Sequence, residues 1–215
     1  MVCRHKSARK ITLSFTSDGI PKVTVPRWAT LNSGISFAVS KSDWIKNNQP
    51  IKQKLNNDSF IGYNHRLNLL GADGKKLKAK ADYNFIHINS DVIDESNEYE
   101  IIKVIKKALN NHAKETLPER LDLFANTYSF NFENSVVKDI KTRWGSCSSK
   151  NNINLSMYLV QLPIKLIDYV LVHELCHTRE MNHSKEFWAQ VETIIPDYKT
   201  SKRELRNIKP NLIIR

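Results

Sequence analysis

Two histidines four residues apart, His173 and His177, bracket Glu174 in the run HELCH. On a helix that advances about 100° per residue, His177 lies only about 40° round from His173 and one turn further along, so both imidazoles can converge on one ion. Glu174 falls about 60° from His177, beside that point rather than on it, where a carboxylate acts as a general base instead of a ligand. A third nitrogen follows at His183, giving the spacing H-x3-H-x5-H. Three neutral imidazoles have the number and softness that suit zinc, and they leave one tetrahedral position open for water. The chemistry expected of such a set is hydrolysis, with water activated by one zinc per chain, its proton taken by Glu174, and a carbonyl or phosphorus attacked.

The residues around the motif are apolar on nearly every side: Val170, Leu171, Val172 and Leu175 accompany it. That pattern predicts a helix inside a core, where unpartnered polar groups cost several kcal/mol each, and a metal would supply the partner. Pro163 opens this helix, since the first turn needs no N–H there. Met181-Asn182 is expected to end it, turning the chain so that His183 can swing back, and Ser184 to cap the next helix, SKEFWAQVETII.

Upstream, Ile101, Ile105, Ala108 and His112, flanked by Ile102, Leu109 and Ala113, follow the helical period from Glu98 to about Lys114, and Pro118 is expected to start a separate helix, PERLDLFANTY. SVVKDIKTRWGSCSS and NINLSMYL read as two strands of a small antiparallel sheet. Nearer the N-terminus, KITLSF and PKVTVP flank TSDGI as a hairpin. A helix capped by Ser33 follows, with Ile35, Phe37, Ala38, Trp44 and Ile45 on its apolar face up to NNQP. Short strands resume at SFIGY, RLNLLGADGKKLKAKA and NFIHI, with GADG as a turn. The expected architecture is α+β: a strand-rich region over 1–95 and a catalytic domain over 96–215.

Composition limits the function classes. The 215 residues are 40% hydrophobic, enough for a core, but apolar runs such as YVLV are far shorter than the ~20 residues that cross a bilayer. The basic start lacks an apolar block of signal-peptide length. A cytoplasmic protein without a membrane partner is expected. Cys3, Cys147 and Cys176 are too few and too scattered for a disulfide framework and read as free thiols. The net charge of +11 is concentrated at both ends, with 15 basic and 8 acidic residues in 1–95 and 13 and 8 in 136–215. Such a field suits nucleotides, nucleic acid or acidic proteins, although a solvated basic surface has the same composition.

Taken together, RWGSCSS (143–149), INL (153–155), LPIKLIDYVLVHELCH (162–177), NHSKEFW (182–188) and PDYK (196–199) resemble the YgjP-like metal-dependent hydrolases, relatives of the WLM and SprT-like zinc peptidases. The similarity runs from about Arg9 to Arg206. It implies a minimal zincin fold, zinc on His173, His177 and His183, and Glu174 as the base. Metzincin peptidases share the histidine spacing, but Glu180 stands where they carry glycine and no methionine follows His183, so that family is excluded.

Other residues near the motifs carry two readings each. Arg143 either stabilises an oxyanion or clamps a phosphate on the substrate, or forms a structural ion pair. Trp144 reads as a core aromatic, and Cys147 and Cys176 as small buried thiols rather than nucleophiles or ligands. The strand from Asn154 to Met157 is expected to offer a sheet edge on which an extended peptide can pair. Of Arg143, Arg179 and Lys185, at most one is expected to face the ion. The functional readings are therefore a zinc metallopeptidase acting on peptide or protein, a hydrolase of another bond such as a nucleoside triphosphate pyrophosphohydrolase, or a zinc-stabilised nucleic-acid-binding module.

Overall fold

The computed structural model of the chain describes residues 1–16, 20–48, 55–71, 76–94 and 96–214, with 47 and 48 described by backbone alone. The centre of the TSDGI turn, most of GADG and the end of NNQP lie outside the described residues. The chain forms two compact units, Met1–Lys54 and Leu55–Arg215.

In the first unit, β1 (Val2–Arg4), β2 (Thr12–Phe15) and β3 (Pro21–Val25) form a sheet in the order β1-β3-β2. β2 and β3 pair antiparallel from Thr12 opposite Thr24 to Phe15 opposite Pro21, as the alternating pattern predicts. Helix α1 (Leu31–Ser40) is capped by Thr30, not Ser33: the extended Thr30 accepts the Ser33 N–H at 3.0 Å, which makes Ser33 part of the first turn. A shorter helix, α2 (Ser42–Asn48), follows. Gly34 faces the sheet, where an added Cβ would come within 2.7 Å of Val25 Cγ1. Phe37 and Ala38 pack beside it on Val23, Val25 and Ala29. Ile35, expected on that apolar face, is exposed.

The second unit holds two sheets joined by a long helix. Strands β4 (Phe60–Ile61), β5 (His65–Leu69), β6 (Ala79–Ala81) and β7 (Phe85–Ile88) are ordered β4-β5-β7-β6. Their Ile61, Leu67, Ile86 and Ile88 share one core with helix α3 (Glu98–Thr127), so the expected boundary at 95/96 falls inside this unit. α3 is also one helix where two were expected, and Pro118 lies within it. A proline inside a helix costs about 3 kcal/mol through a lost hydrogen bond and a steric clash. The buried stripe continues past it as Leu117, Leu121 and Ala125, and that packing keeps the helix together.

Strands β8 (Asn134–Lys138), β9 (Gly145–Cys147) and β10 (Asn152–Ser156) form the second sheet, ordered β8-β10-β9. The run expected to be one strand is two, and β10 lies between them, parallel to β8 and antiparallel to β9. The strand carrying Asn154 therefore has both edges paired, which corrects the expected sheet edge along it. The edge strands of this sheet are β8 and β9. A 3-10 turn (Met157–Gln161) leads to α4 (Ile164–Cys176), α5 (Lys185–Ile194) and α6 (Tyr198–Leu205).

Inside this core His65 is 1% exposed, and neither ring nitrogen has a hydrogen-bond partner. Burial, and then the charge of the neighbouring His112, pushes its pKa from 6.5 down to about 4. The folded state thus resists protonation that the unfolded chain accepts, so stability is full above pH 6.5 and is lost as pH falls from there toward 4. Between pH 7 and 5 this one group removes about 2 kcal/mol of stability. His65→Phe keeps a ring against His112 and cannot titrate; denaturant melts of the two proteins at pH 7 and 5 should show the smaller acid loss in the variant.

Candidate metal centre

Helix α4 starts after Pro163 and buries Leu166, Ile167, Tyr169, Val170, Leu171, Val172 and Leu175 against β9, α3, α5 and α6. It ends at Cys176, earlier than the expected Met181-Asn182, with His177 as its C-cap. The reason is local. Thr178 Oγ1 donates to the Leu175 carbonyl at 2.7 Å, and the Glu180 N–H turns back to the Cys176 carbonyl at 2.9 Å. Arg179 then pins the turn, donating to the carbonyls of Tyr128 and Ser129 at 2.9 and 2.7 Å while its guanidinium stands 4.0 Å over the Phe130 ring.

Beyond the turn, Ser184 caps α5 as expected, accepting the Phe187 N–H at 3.2 Å. This cap fixes both the residue before it, His183, and the residue that supports the centre. Phe187 is fully buried, with ring centroids 5.0, 4.6 and 4.8 Å from those of His173, His177 and His183.

On this aromatic floor one ring nitrogen from each of the three histidines lies within 4.8 Å of the other two. His173 Nε2 and His183 Nε2 stand 3.1 Å apart. Two nitrogens bound to a tetrahedral ion at the usual zinc distance are separated by about 3.3 Å, so the set fits a metal of that size. His177 Nδ1 donates to the Glu180 carbonyl at 3.1 Å, leaving Nε2 as its lone-pair nitrogen. Burial, and then the neighbouring imidazoles, pushes His173 down to about 3 and lowers His183 as well. Both are neutral near pH 7, the form that binds metals.

Glu174 projects toward β9 and is 5% exposed. Burial pushes its pKa up to about 8, against the opposing charge of Arg143 and a hydrogen bond from the Cys147 backbone N–H. The carboxylate lies so close to β9 that a Cβ on Gly145 would come within 2.6 Å of Oε1. Gly145 and Phe187 were not singled out by the histidine spacing; their only signal was membership in the runs RWGSCSS and NHSKEFW.

The remaining expected residues divide. Arg143 is exposed, acts on Glu174 by its charge and has no ion pair among the described residues. The Asn154 amide donates to Ser146 Oγ at 3.5 Å, within its own sheet. Arg179 is committed to the turn, and Lys185 is exposed. Trp144 packs half-buried against the core. Burial pushes the Cys147 thiol up to about 11 and Cys176 up to about 12, so neither is a nucleophile at neutral pH. A cation outside the expected list also borders the centre: Lys202 Nζ stands 3.8 Å over the ring of Trp188, which stacks on His183 at 5.5 Å.

The role of Arg179 in shaping the turn is measurable. Charged hydrogen bonds of this kind contribute about 1.5–3 kcal/mol, so Arg179→Ala should speed amide exchange over residues 178–183 by roughly tenfold or more while the amides of α4 keep their protection. Unchanged exchange in that segment would show that Arg179 does not hold the turn.

A family model described as YgjP-like, metallopeptidase domain, matches residues 9–208. No curated protein matches the sequence. Among solved structures, the chain is similar to the metallopeptidase zymogen abylysin of Pyrococcus abyssi, at 23% identity and a TM-score of 0.40, covering 46% of this chain and 100% of that one. It is also similar to the metallopeptidase zymogen jannalysin of Methanocaldococcus jannaschii, at 19% identity and a TM-score of 0.36, covering 42% of this chain and 91% of that one. Matched over nearly its whole length by the family model, the chain belongs to the YgjP-like metallopeptidase-domain family, whose members are metal-dependent hydrolases.

Proposed function

We propose that this protein is a zinc peptidase in which His173, His177 and His183 hold one zinc per chain and Glu174 is the general base. The observation that carries this reading is the pairing of three converging imidazoles with a buried carboxylate on the helix that carries the first two histidines. Zinc, when bound, supplies the Lewis acidity that makes water a nucleophile near neutral pH. Glu174 accepts the proton of that water on its carboxylate and passes it to the leaving amine. Burial raises its proton affinity into the range where both transfers are feasible near pH 7. The Cys147 N–H orients the carboxylate, and the absence of a side chain at Gly145 leaves room for it.

An extended peptide needs a sheet edge, and β9, the edge strand of its sheet, is the strand that passes Glu174. A chain added there would bring a backbone carbonyl next to the base. Three free thiols fit a cytoplasmic setting. Among the described residues no helix is long and apolar enough to cross a membrane. A purely structural zinc site would have no use for the buried Glu174, so the nucleic-acid-binding reading has no observation in its favour.

A second reading, hydrolysis of a nucleoside triphosphate, is favoured by one observation. Arg143 on the Glu174 side and Lys202 on the His183 side are exposed cations without acidic partners among the described residues.

His173→Ala should abolish stoichiometric zinc in the purified protein, read by metal analysis; full zinc in the variant contradicts the ligand assignment. Glu174→Gln should keep the zinc and the fold but lower hydrolysis of an unfolded protein mixture by several orders of magnitude, because an amide cannot take the proton. Release of pyrophosphate from nucleoside triphosphates that depends on Glu174, without peptide cleavage, would replace the peptidase reading with the second one.

A further inference from the structure

We propose that Lys202 binds a carboxylate of the peptide substrate, an assignment that rests on the peptidase reading above. Helix α6 places this lysine. Its first residue, Tyr198, is buried and stacks on Trp188 with centroids 5.1 Å apart and planes 14° from parallel, which fixes α6 against α5. Lys202 follows one helical turn later, on the same face, and its ammonium is carried over the same indole at 3.8 Å. That indole in turn stacks on His183 and lies 5.9 Å from His173. A chain of ring contacts therefore holds a cation at the border of the histidine cluster.

The cation is uncommitted. Nearby lysines have acids of their own: Lys199 pairs with Glu192 at 3.2 Å and Lys165 with Glu204 at 2.7 Å. Lys202 has no ion pair among the described residues, only the face of Trp188. The indole steadies an ammonium without neutralising it.

Placement sets the role. With its ammonium on the Trp188 indole and no hydrogen bond to an imidazole among the described residues, Lys202 borders the centre rather than enters it, and an oxyanion, whose donors stand about 3 Å away, is not its partner. It is suited instead to a group one residue further along the substrate. The anions a peptide offers are its terminal carboxylate and the side chains of Asp and Glu. A lysine is a point charge without the planar fork of arginine, so it selects for charge at that position rather than for one carboxylate geometry.

The test is equilibrium binding by calorimetry to zinc-loaded Glu174→Gln protein, in which bound peptides persist. Three versions of one short peptide are compared: a free terminal acid with no acidic side chain, the corresponding amide, and the amide carrying one Asp. At least one carboxylate peptide should bind about tenfold tighter than the plain amide, and which one does so identifies the source of the anion. The gap should close in Lys202→Met, which still covers the indole, and return in Lys202→Arg. Equal binding of all three peptides overturns the proposal, as does a gap that survives in Lys202→Met or an equal loss for acid and amide, the mark of a merely structural lysine. If the gap depends on Lys202 but wild-type enzyme cleaves no peptide, the carboxylate assignment stands and the peptidase reading fails. Binding of tripolyphosphate through Lys202, with no peptide bound, overturns the carboxylate assignment.

Discussion

The fully buried ring of Phe187 touches all three imidazoles of the centre, and the geometry of the site rests on that contact. Removing a buried phenylalanine typically costs about 3–5 kcal/mol, a large part of a domain's net stability. Here the same packing also sets chemistry. An aromatic floor excludes water from one side of each ring, which favours the neutral imidazole and so the form that holds a metal. Ser184 completes the arrangement from the backbone side, because the cap that starts α5 fixes the entry angle of His183 and the position of Phe187 together.

Glu174, beside β9, meets the opposite problem. A buried carboxylate is unstable as an anion unless charge or hydrogen bonds oppose the loss of water. The Arg143 charge and the Cys147 N–H oppose it only in part, so the pKa stays near 8. The proposed role of Glu174 as general base needs such a compromise, because a fully compensated carboxylate would hold its proton too weakly to return it. The close approach of β9 at Gly145 provides the compromise: it brings a strand edge against the carboxylate while adding no side chain that would push it away.

The convergence of His173, His177 and His183 and the Ser184 cap were readable from the sequence because each follows from spacings over a short stretch of chain. The hairpin at β2 and β3 and the buried stripe of α3 were readable for the same reason. What escaped depends on contacts between elements distant in sequence. Pro118 signals a break, and only the packing of Leu117, Leu121 and Ala125 on the rest of the core outweighs it. The turn that follows α4 is likewise held by Arg179 reaching carbonyls some fifty residues away. The position of β10 between β8 and β9 was equally hidden, since alternation reveals a strand but not which of its edges are paired.

The same distinction governs what the net charge means. A total of +11 counts lysines and arginines wherever they lie, yet exposed charges are screened over about 8 Å at physiological ionic strength. Most of the excess therefore has no bearing on what happens at the histidines. Arg143 and Lys202 do, because one acts on Glu174 and the other on two of the imidazoles. They lie on a β9-side loop and on α6, and neither has an ion pair among the described residues. A neutral backbone laid along β9 gains little from such a pair, whereas a substrate with an anion near the scissile bond gains from both by long-range attraction and by local binding. On the proposed reading, selectivity would rest on charge placed by α6, while α4 and β9 would set the bond to be broken.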